Sequence, residues 1–230
     1  MAELIQIWKP LCPFFVPKEV CMLNCTSSEL RGLNVSWHDH SIEFQLDESA
    51  LESTSAVSWL QKNDESMRKL NLLIRCDLPR QRLQEVFEGG RNLTRLRINN
   101  WQIEIAELPP LPPQLEQLDV SLCIKLRSLP ALPPTLRQLN CEACTALEAL
   151  PSSLSGTALS VLKCNCCWML KAVPKLPLSV VDLQLHGCDK LLQWPELPKG
   201  LKCLGMSSVK LAQRSGEWKL LNTADVNRDV

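Results

Sequence analysis

The chain has 230 residues, and 25 Lys and Arg balance 25 Asp and Glu, so its formal net charge is zero. This balance argues against a protein that binds nucleic acid or an anionic membrane surface, because both need a basic surplus. Hydrophobic residues make up 45% and charged residues 22%, and no run of about 18 apolar residues occurs, which indicates a folded core and no membrane span.

The amino-terminal residues lack the features of a secretory signal. They contain no basic region, and Pro10, Pro13 and Pro17 interrupt the apolar stretch from Leu11 to Val16. Without that export route, the 12 cysteines are expected to be reduced thiols and not a disulfide framework. The sequence therefore predicts a protein that works in a reducing cytosol.

Residues 1–69 show no repeat and are predicted to form a small α/β cap. Leu30–Trp37 and Ser41–Leu46 alternate between apolar and polar residues around a polar turn, which predicts a hairpin. Capping residues and apolar spacing predict one helix over 51–61 and a second over Arg80–Glu88, ended by a Gly-Gly pair. Such a cap would cover the first exposed edge of a repeat array.

A repeat of 21 to 23 residues governs the following part of the chain. The template L-x-x-L-x-L-x-x-C describes copies that start at positions 93, 115, 136, 159, 180 and 201, with Trp101 at the cysteine position of the first. Leu70 and Leu73 are predicted to begin an earlier turn, and Val209 takes the cysteine position of the last copy. The repeats are thus predicted to span 70–209, and the polar tail 210–230 is predicted to cap the other end.

This repeat predicts a leucine-rich-repeat solenoid, a right-handed curved horseshoe. In each copy the x-L-x-L core is a short strand, and stacked copies would pair their strands in parallel, about 4.8 Å apart, on the concave side. Prolines recur in the second half of the copies, as in Leu126–Pro130 and Leu147–Pro151. They are expected to exclude a helix there, so extended, polyproline-like backbone is predicted on the convex side.

A proline-rich phrase recurs within the repeats. Leu129–Leu139 reads LPALPPTLRQL, and Leu108–Leu118 and Trp194–Leu204 follow the same pattern with few changes. The phrase resembles the short LPX-type leucine-rich repeats of bacterial effectors, which type III secretion delivers into host cells. The resemblance covers roughly residues 93–209 and implies an effector that acts in the host cytosol. That family usually has Asn where this chain has cysteine at 123, 144, 167 and 188, and in this respect the chain resembles the cytoplasmic leucine-rich repeats of plants.

The paired cysteines allow two interpretations. Cys141 and Cys144, followed by Cys164 and Cys167, have the C-x2-C spacing of a tetrathiolate zinc site. The repeat phase explains the same residues as small apolar side chains of the core. We favour packing and predict no metal or cofactor. A zinc-binding or redox-sensing protein is the alternative, and the thiols expected to be exposed are Cys166 and Cys203.

The sequence contains no recognisable catalytic constellation. It has no glycine-rich phosphate loop and no clustered carboxylates, and no family signature surrounds its three histidines. Some relatives in the effector family carry a carboxy-terminal ubiquitin-ligase domain with a nucleophilic cysteine, and this chain has no cysteine after Cys203. We therefore expect a protein that is not an enzyme, with a substrate-recruiting relative of such a ligase as an alternative.

The outward strand positions are predicted to bind a protein partner, with no nucleic acid and no membrane involved. Neighbouring copies would place these side chains about 4.8 Å apart in a rigid ladder of donors, acceptors and charges. A preformed surface of this kind loses little entropy on binding. The candidate binding residues are Arg95, Arg97, Gln117, Asp119, Gln138, Asn140, Lys163, Asp182, Gln184 and His186.

Overall fold

The computed structural model describes residues 41–46, 65, 67–74, 80–99, 105–192, 195–206, 209–214 and 217–220. The predicted strand 30–37 and the predicted helix 51–61 lie outside these residues. The described elements, in chain order, are β1 (Ser41–Leu46), β2 (Lys69–Ile74), α1 (Arg80–Glu88), β3 (Arg95–Asn99), β4 (Gln117–Asp119), β5 (Gln138–Asn140), a 3-10 helix (Ser152–Gly156), β6 (Val161–Lys163), β7 (Asp182–Gln184), β8 (Cys203–Met206), β9 (Val209–Arg214) and β10 (Glu217–Leu220).

All the described strands belong to one sheet, in which neighbours along the chain are also neighbours in space. Strands β1 to β8 pair in parallel, and β9 and β10 extend the sheet in antiparallel fashion. Parallel neighbours need a crossover of about a dozen residues or more, which the chain supplies between successive strands. The predicted parallel sheet is confirmed, and its strand order is compatible with a solenoid.

The strand register aligns equivalent leucines of successive copies. Side chains alternate between the two faces of a strand, so the middle residue of each three-residue strand points into the core and its two neighbours point outward. The residues paired across the sheet in this inward row are Leu70, Leu96, Leu118, Leu139, Leu162, Leu183 and Leu204.

The first aligned copy is offset from its prediction by three residues. We expected Leu70 to take the first apolar position, but Leu70 lies opposite Leu96, which holds the second apolar position of its copy. Met67 takes the first position instead and is fully buried, as is Leu72 at the third. The prediction was wrong because methionine fills an apolar site as well as leucine does, and the template did not allow it there.

One continuous core connects the copies. Leu115, Leu136 and Leu159, the first apolar residues of successive copies, have no exposed surface. Complete burial of a leucine side chain contributes about 1.5–3 kcal/mol. Each copy obtains this burial from its neighbours, so a single copy cannot cover its own leucines.

A tight turn follows each of the strands β4 to β7. Its third residue has a positive φ, which is 65° at Leu122, 58° at Ala143, 58° at Cys166 and 71° at Gly187. A residue in this left-handed region reverses the backbone direction within a short span. The residue after it, a cysteine in every case, therefore returns to the core.

The Leu-x-x-Leu-Pro segments form a second ladder of single parallel bridges, separate from the main sheet. Single parallel bridges join Glu107 to Ser128, Ser128 to Ala149 and Ala149 to Ala172, so the backbone is extended at these residues. Ser152–Gly156 departs from this pattern as a 3-10 helix, although we predicted no helix on this side. That copy has SSLSG where others carry a second proline element, so nothing prevents a helical turn there.

The two ends of the described sheet differ from their predictions. Strand β1 has the predicted bounds Ser41–Leu46, but its described neighbour is β2, in parallel, so the sheet continues into the region predicted as a cap. At the other end Val209 does not take a cysteine position, because it begins the antiparallel strand β9. The domain boundaries at 69 and 210 stay predictions.

The helix predicted over Arg80–Glu88 is confirmed with these bounds. It buries Leu83, Val86 and Phe87 at helical spacing and is followed by a glycine turn. Among the described residues, no helix combines the length and apolar character needed to cross a membrane.

Candidate functional site

A groove of about 600 Å³ lies against the outward face of strands β2 to β7. Six strands about 4.8 Å apart give the groove a length of about 24 Å from the first strand to the last. The residues that line it are Lys69, Leu70, Arg95, Leu96, Arg97, Gln117, Leu118, Asp119, Gln138, Leu139, Asn140, Val161, Lys163 and Asp182.

Two rows of side chains stand on this face, one on each side of the inward leucine row. Residues two apart in a strand share a face, and the register places equivalent residues beside one another. The first outward row comprises Lys69, Arg95, Gln117, Gln138, Val161 and Asp182. The second outward row comprises Asn71, Arg97, Asp119, Asn140, Lys163 and Gln184.

Several groove side chains are held in place by their neighbours. Arg97 Nε lies 3.4 Å from Asp119 Oδ2 on the adjacent strand. The other carboxylate oxygen, Asp119 Oδ1, accepts a 3.0 Å hydrogen bond from the backbone N–H of Ser121, and Asn140 Oδ1 accepts one of the same length from Glu142. These Asx turns fix the carboxylate and the amide while they start the turns that follow the strands.

Charge is unevenly distributed along the groove. Lys69, Arg95 and Arg97 lie together on β2 and β3. The carboxylate next to them among the lining residues is Asp119, on the adjacent strand β4. Towards the other end, Lys163 and Asp182 balance each other. Four cationic side chains therefore face two carboxylates in the groove, although the chain as a whole has zero formal charge.

Eight of the ten predicted binding residues line the groove, and Gln184 and His186 do not. Gln184 is only 7% exposed and donates a hydrogen bond from Nε2 to Asp182 Oδ1. Its Oε1 occupies the space in which a side chain at Gly205 would lie. His186 is exposed in the turn after β7, where its N–H donates to Asn165 Oδ1 at 3.0 Å. Gln184 lies outside the groove lining because the glycine at 205 leaves room for its side chain, and His186 because it follows the end of the strand; as binding residues both stay predictions.

Two groove residues were missing from the prediction. Lys69 was missed because the first copy was aligned three residues out of register, and placing Met67 at the first apolar position would have found it. Val161 occupies an outward position of β6 and is half-buried. It was left out of the candidate set although its position in the repeat is the same as that of Gln138.

Four buried cysteines form a column next to the sheet, one in each turn after β4 to β7. Each thiol is placed to donate a hydrogen bond to a backbone carbonyl oxygen of the preceding copy, which satisfies an acceptor at the end of a strand. The Sγ to O distances are 3.6 Å from Cys123 to Ile98, 3.1 Å from Cys144 to Val120, 3.1 Å from Cys167 to Cys141 and 3.0 Å from Cys188 to Cys164.

The buried thiols are held in their protonated form. Burial raises the pKa of Cys144 and raises that of Cys188 to about 12. Hydrogen bonding to Cys164, together with burial, raises the pKa of Cys167, and a hydrogen bond to Cys141 raises that of Cys164. For Cys141 the hydrogen bond with Cys164 lowers the pKa, but burial and the neighbouring thiols outweigh it and bring the pKa to about 11.

This arrangement bears on the zinc interpretation of Cys141, Cys144, Cys164 and Cys167. Zinc would have to displace the protons of these buried thiols, which lie in two columns of the core. Within the part of the chain that the structure describes, no group of three or more His, Cys, Asp or Glu side chains is placed to hold a metal ion. The two remaining described cysteines, Cys166 and Cys203, are each partly exposed.

The chemistry that the groove offers is recognition by hydrogen bonds and charge. Its lining residues supply guanidinium, ammonium, carboxylate and amide groups, and none of them carries a hydroxyl, thiol or imidazole. The described lining residues therefore offer no hydroxyl, thiol or imidazole as a nucleophile. Comparison of the chain with protein-family models, with curated proteins and with solved structures finds no match.

Proposed function

We propose that the chain is a leucine-rich-repeat solenoid of the LPX type that binds an extended segment of a partner protein in its groove and has no catalytic activity. The observation that carries this proposal is the groove itself. It runs for about 24 Å across six strands, and its polar and charged lining comes from equivalent positions of successive copies.

The repeat pattern and the strand register support the solenoid. Copies that start at residues 93, 115, 136, 159, 180 and 201 each contribute one strand to the same sheet. The second ladder, through residues 107, 128, 149 and 172, recurs with the same period. Two ladders that recur every 21 to 23 residues support a chain that winds as a solenoid.

The dimensions of the groove favour an extended ligand. An extended peptide rises about 3.3 Å per residue, so about seven residues would cover 24 Å. The Arg97 and Asp119 side chains already contact each other, and Asp119 is fixed by the turn after β4. Because these groups are ordered before binding, little conformational entropy is lost when a ligand pairs with them.

The resemblance to LPX repeats supports a bacterial effector that acts in the host cytosol. Protonated cysteines packed in the core are consistent with a reducing compartment, since they act as thiol donors and not as halves of disulfides. The partner we propose is accordingly a host protein with an accessible, extended segment.

A charge-swapped variant tests the groove. Arg97→Glu, Asp119→Lys and Lys163→Glu together invert three groove charges and retain a pair of opposite charges at 97 and 119. The matched control is Arg127→Glu, Glu148→Lys and Lys171→Glu, which changes the net charge equally on the second ladder, where Glu148 and Lys171 form an exposed ion pair of 2.6 Å. Both variants are used for affinity capture from eukaryotic cytosolic extract, with the wild-type chain as reference.

We expect the control to recover the same partner as the wild-type chain and the groove variant to lose it. Circular dichroism and thermal unfolding of both variants verify that they are folded. Recovery of the same partner by wild type and groove variant alike would refute the groove as the binding surface. Any turnover of a captured protein by the purified chain would refute the absence of catalysis.

A further inference from the structure

The cationic end of the groove contains a charge that its neighbours do not balance. The register places Arg95 between Lys69 on β2 and Gln117 on β4. Directly opposite residues of paired strands are close enough for like charges to be destabilising. Among the described residues Arg95 forms no ion pair, in contrast to Arg97, which lies 3.4 Å from Asp119. In the first outward row the guanidinium of Arg95 therefore lies beside a second cation, Lys69, and beside the neutral amide of Gln117.

The geometry of this end suits carboxylates. Arg95 and Arg97 are two residues apart on β3, so their side chains project from the same face, about 7 Å apart along the strand. Both are exposed to the groove. A guanidinium group presents a planar fork of donors that binds a carboxylate through two parallel hydrogen bonds.

The distribution of charge along the rest of the groove predicts the orientation of the ligand. The central positions, Gln117, Gln138 and Asn140, are neutral amides, and beyond them Lys163 and Asp182 balance in charge. A ligand with negative charge along its whole length would meet the carboxylate of Asp182 at the far end. The charge pattern is therefore complementary to a segment that is acidic at one end and neutral and polar in its remainder.

We infer that the β2–β3 end of the groove, formed by Lys69, Arg95 and Arg97, binds the Asp or Glu side chains of an acidic peptide segment. The inference rests on the proposed function, because it specifies the chemistry of the segment that the groove binds. Arg95 is its central residue, since its charge is the one that no described carboxylate neutralises.

Selection from a random dodecapeptide display library against the full chain tests the inference. We expect the selected peptides to be enriched in Asp and Glu near one end. Labelled copies are then titrated by fluorescence anisotropy against the wild-type chain, Arg95→Gln, Arg95→Glu and the control Arg127→Glu. Arg127 is exposed and lies outside the groove, so the control makes the same charge reversal elsewhere.

The expected changes are graded by charge. Arg95→Glu should weaken binding tenfold or more, Arg95→Gln by a smaller factor, and Arg127→Glu by less than twofold. Replacement of the acidic residues of the peptide by Gln and Asn should weaken binding to the wild-type chain by a similar factor. Affinity should also fall as salt is raised from about 50 to about 300 mM, because the interacting charges are exposed.

The outcomes separate this inference from the proposed function. Groove-dependent peptides without acidic enrichment would overturn the inference and leave the proposed function intact. Peptides that bind the charge-swapped groove variant as well as the wild-type chain, or a library that yields no binder, would overturn both. A phosphoserine analogue that binds more than tenfold tighter than the glutamate peptide would overturn the assignment to carboxylates.

Discussion

Raising the pH should unfold this protein, because its core contains thiols that must stay protonated. Five buried cysteines have a pKa raised above the ordinary value of 9.0. In the unfolded chain they would ionise near that value, whereas in the folded chain they remain neutral. Above pH 9 the unfolded state therefore binds fewer protons than the folded state, and stability falls as the pH rises.

The size of the effect follows from the linkage relation. At pH 10 a thiol with a pKa of 9.0 in the unfolded chain, and neutral when folded, lowers the free energy of unfolding by about 1.4 kcal/mol. Five such thiols give a total of about 7 kcal/mol, within the about 5–15 kcal/mol by which native proteins are stable. The loss levels off above the folded pKa, which is about 11 for Cys141 and about 12 for Cys188.

Urea unfolding with a reducing agent present, followed by tryptophan fluorescence at pH 7, 8, 9 and 10, measures this loss. The chain contains no tyrosine, so no phenol titrates in the same range. Cys188→Ala should reduce the loss of stability between pH 9 and pH 10 by about 1 kcal/mol, the contribution of one thiol with a pKa of 9.0 in the unfolded chain. Leu185→Val, at a buried site of the same copy, should lower stability equally at every pH and leave the slope of stability against pH unchanged.

Two results would refute the reasoning. A free energy of unfolding that is constant from pH 8 to pH 10 would mean that the cysteines ionise as readily in the folded chain as in the unfolded one. A free energy that increases over the same range would mean that the folded state prefers thiolates. The second result would restore the zinc or redox interpretation, because both chemistries need the thiolate form.

Two further predictions concern packing. Leu139→Ala, in the inward row of β5 at 1% exposure, should lower the free energy of unfolding by about 2–5 kcal/mol. Leu178→Ala, at 82% exposure, should change it by less than about 0.5 kcal/mol. Urea unfolding of both variants checks this, and equal losses would contradict the assigned core. Gly205→Ala should destabilise the chain, because the new Cβ would lie 2.0 Å from Gln184 Oε1, and Gln184→Ala should relieve most of that loss in a double-mutant cycle measured by thermal unfolding. Additive effects of the two substitutions would show that their side chains do not meet.

The inward rows and the strand positions of the repeats could be read from the sequence. An x-L-x-L core repeated every 21 to 23 residues leaves one way to bury all the leucines, which is to align them in neighbouring strands. The helix Arg80–Glu88 could also be predicted from the sequence, because its apolar spacing and the glycines after it are local signals. Eight groove residues followed from the same alternation.

Tertiary structure decided what depends on neighbours that are distant in sequence. Gln184 is buried because the next copy has glycine at 205, 21 residues further along the chain. The sequence of the strand Asp182–Gln184 alone does not identify this neighbour. Met67 was identified as the start of a copy by the pairing of Leu70 with Leu96. The groove is a property of the assembled sheet, since its lining residues come from six different strands. Local sequence specifies which side chains face outward, and only the assembled sheet determines which of them share a cavity and which charges remain unbalanced in it.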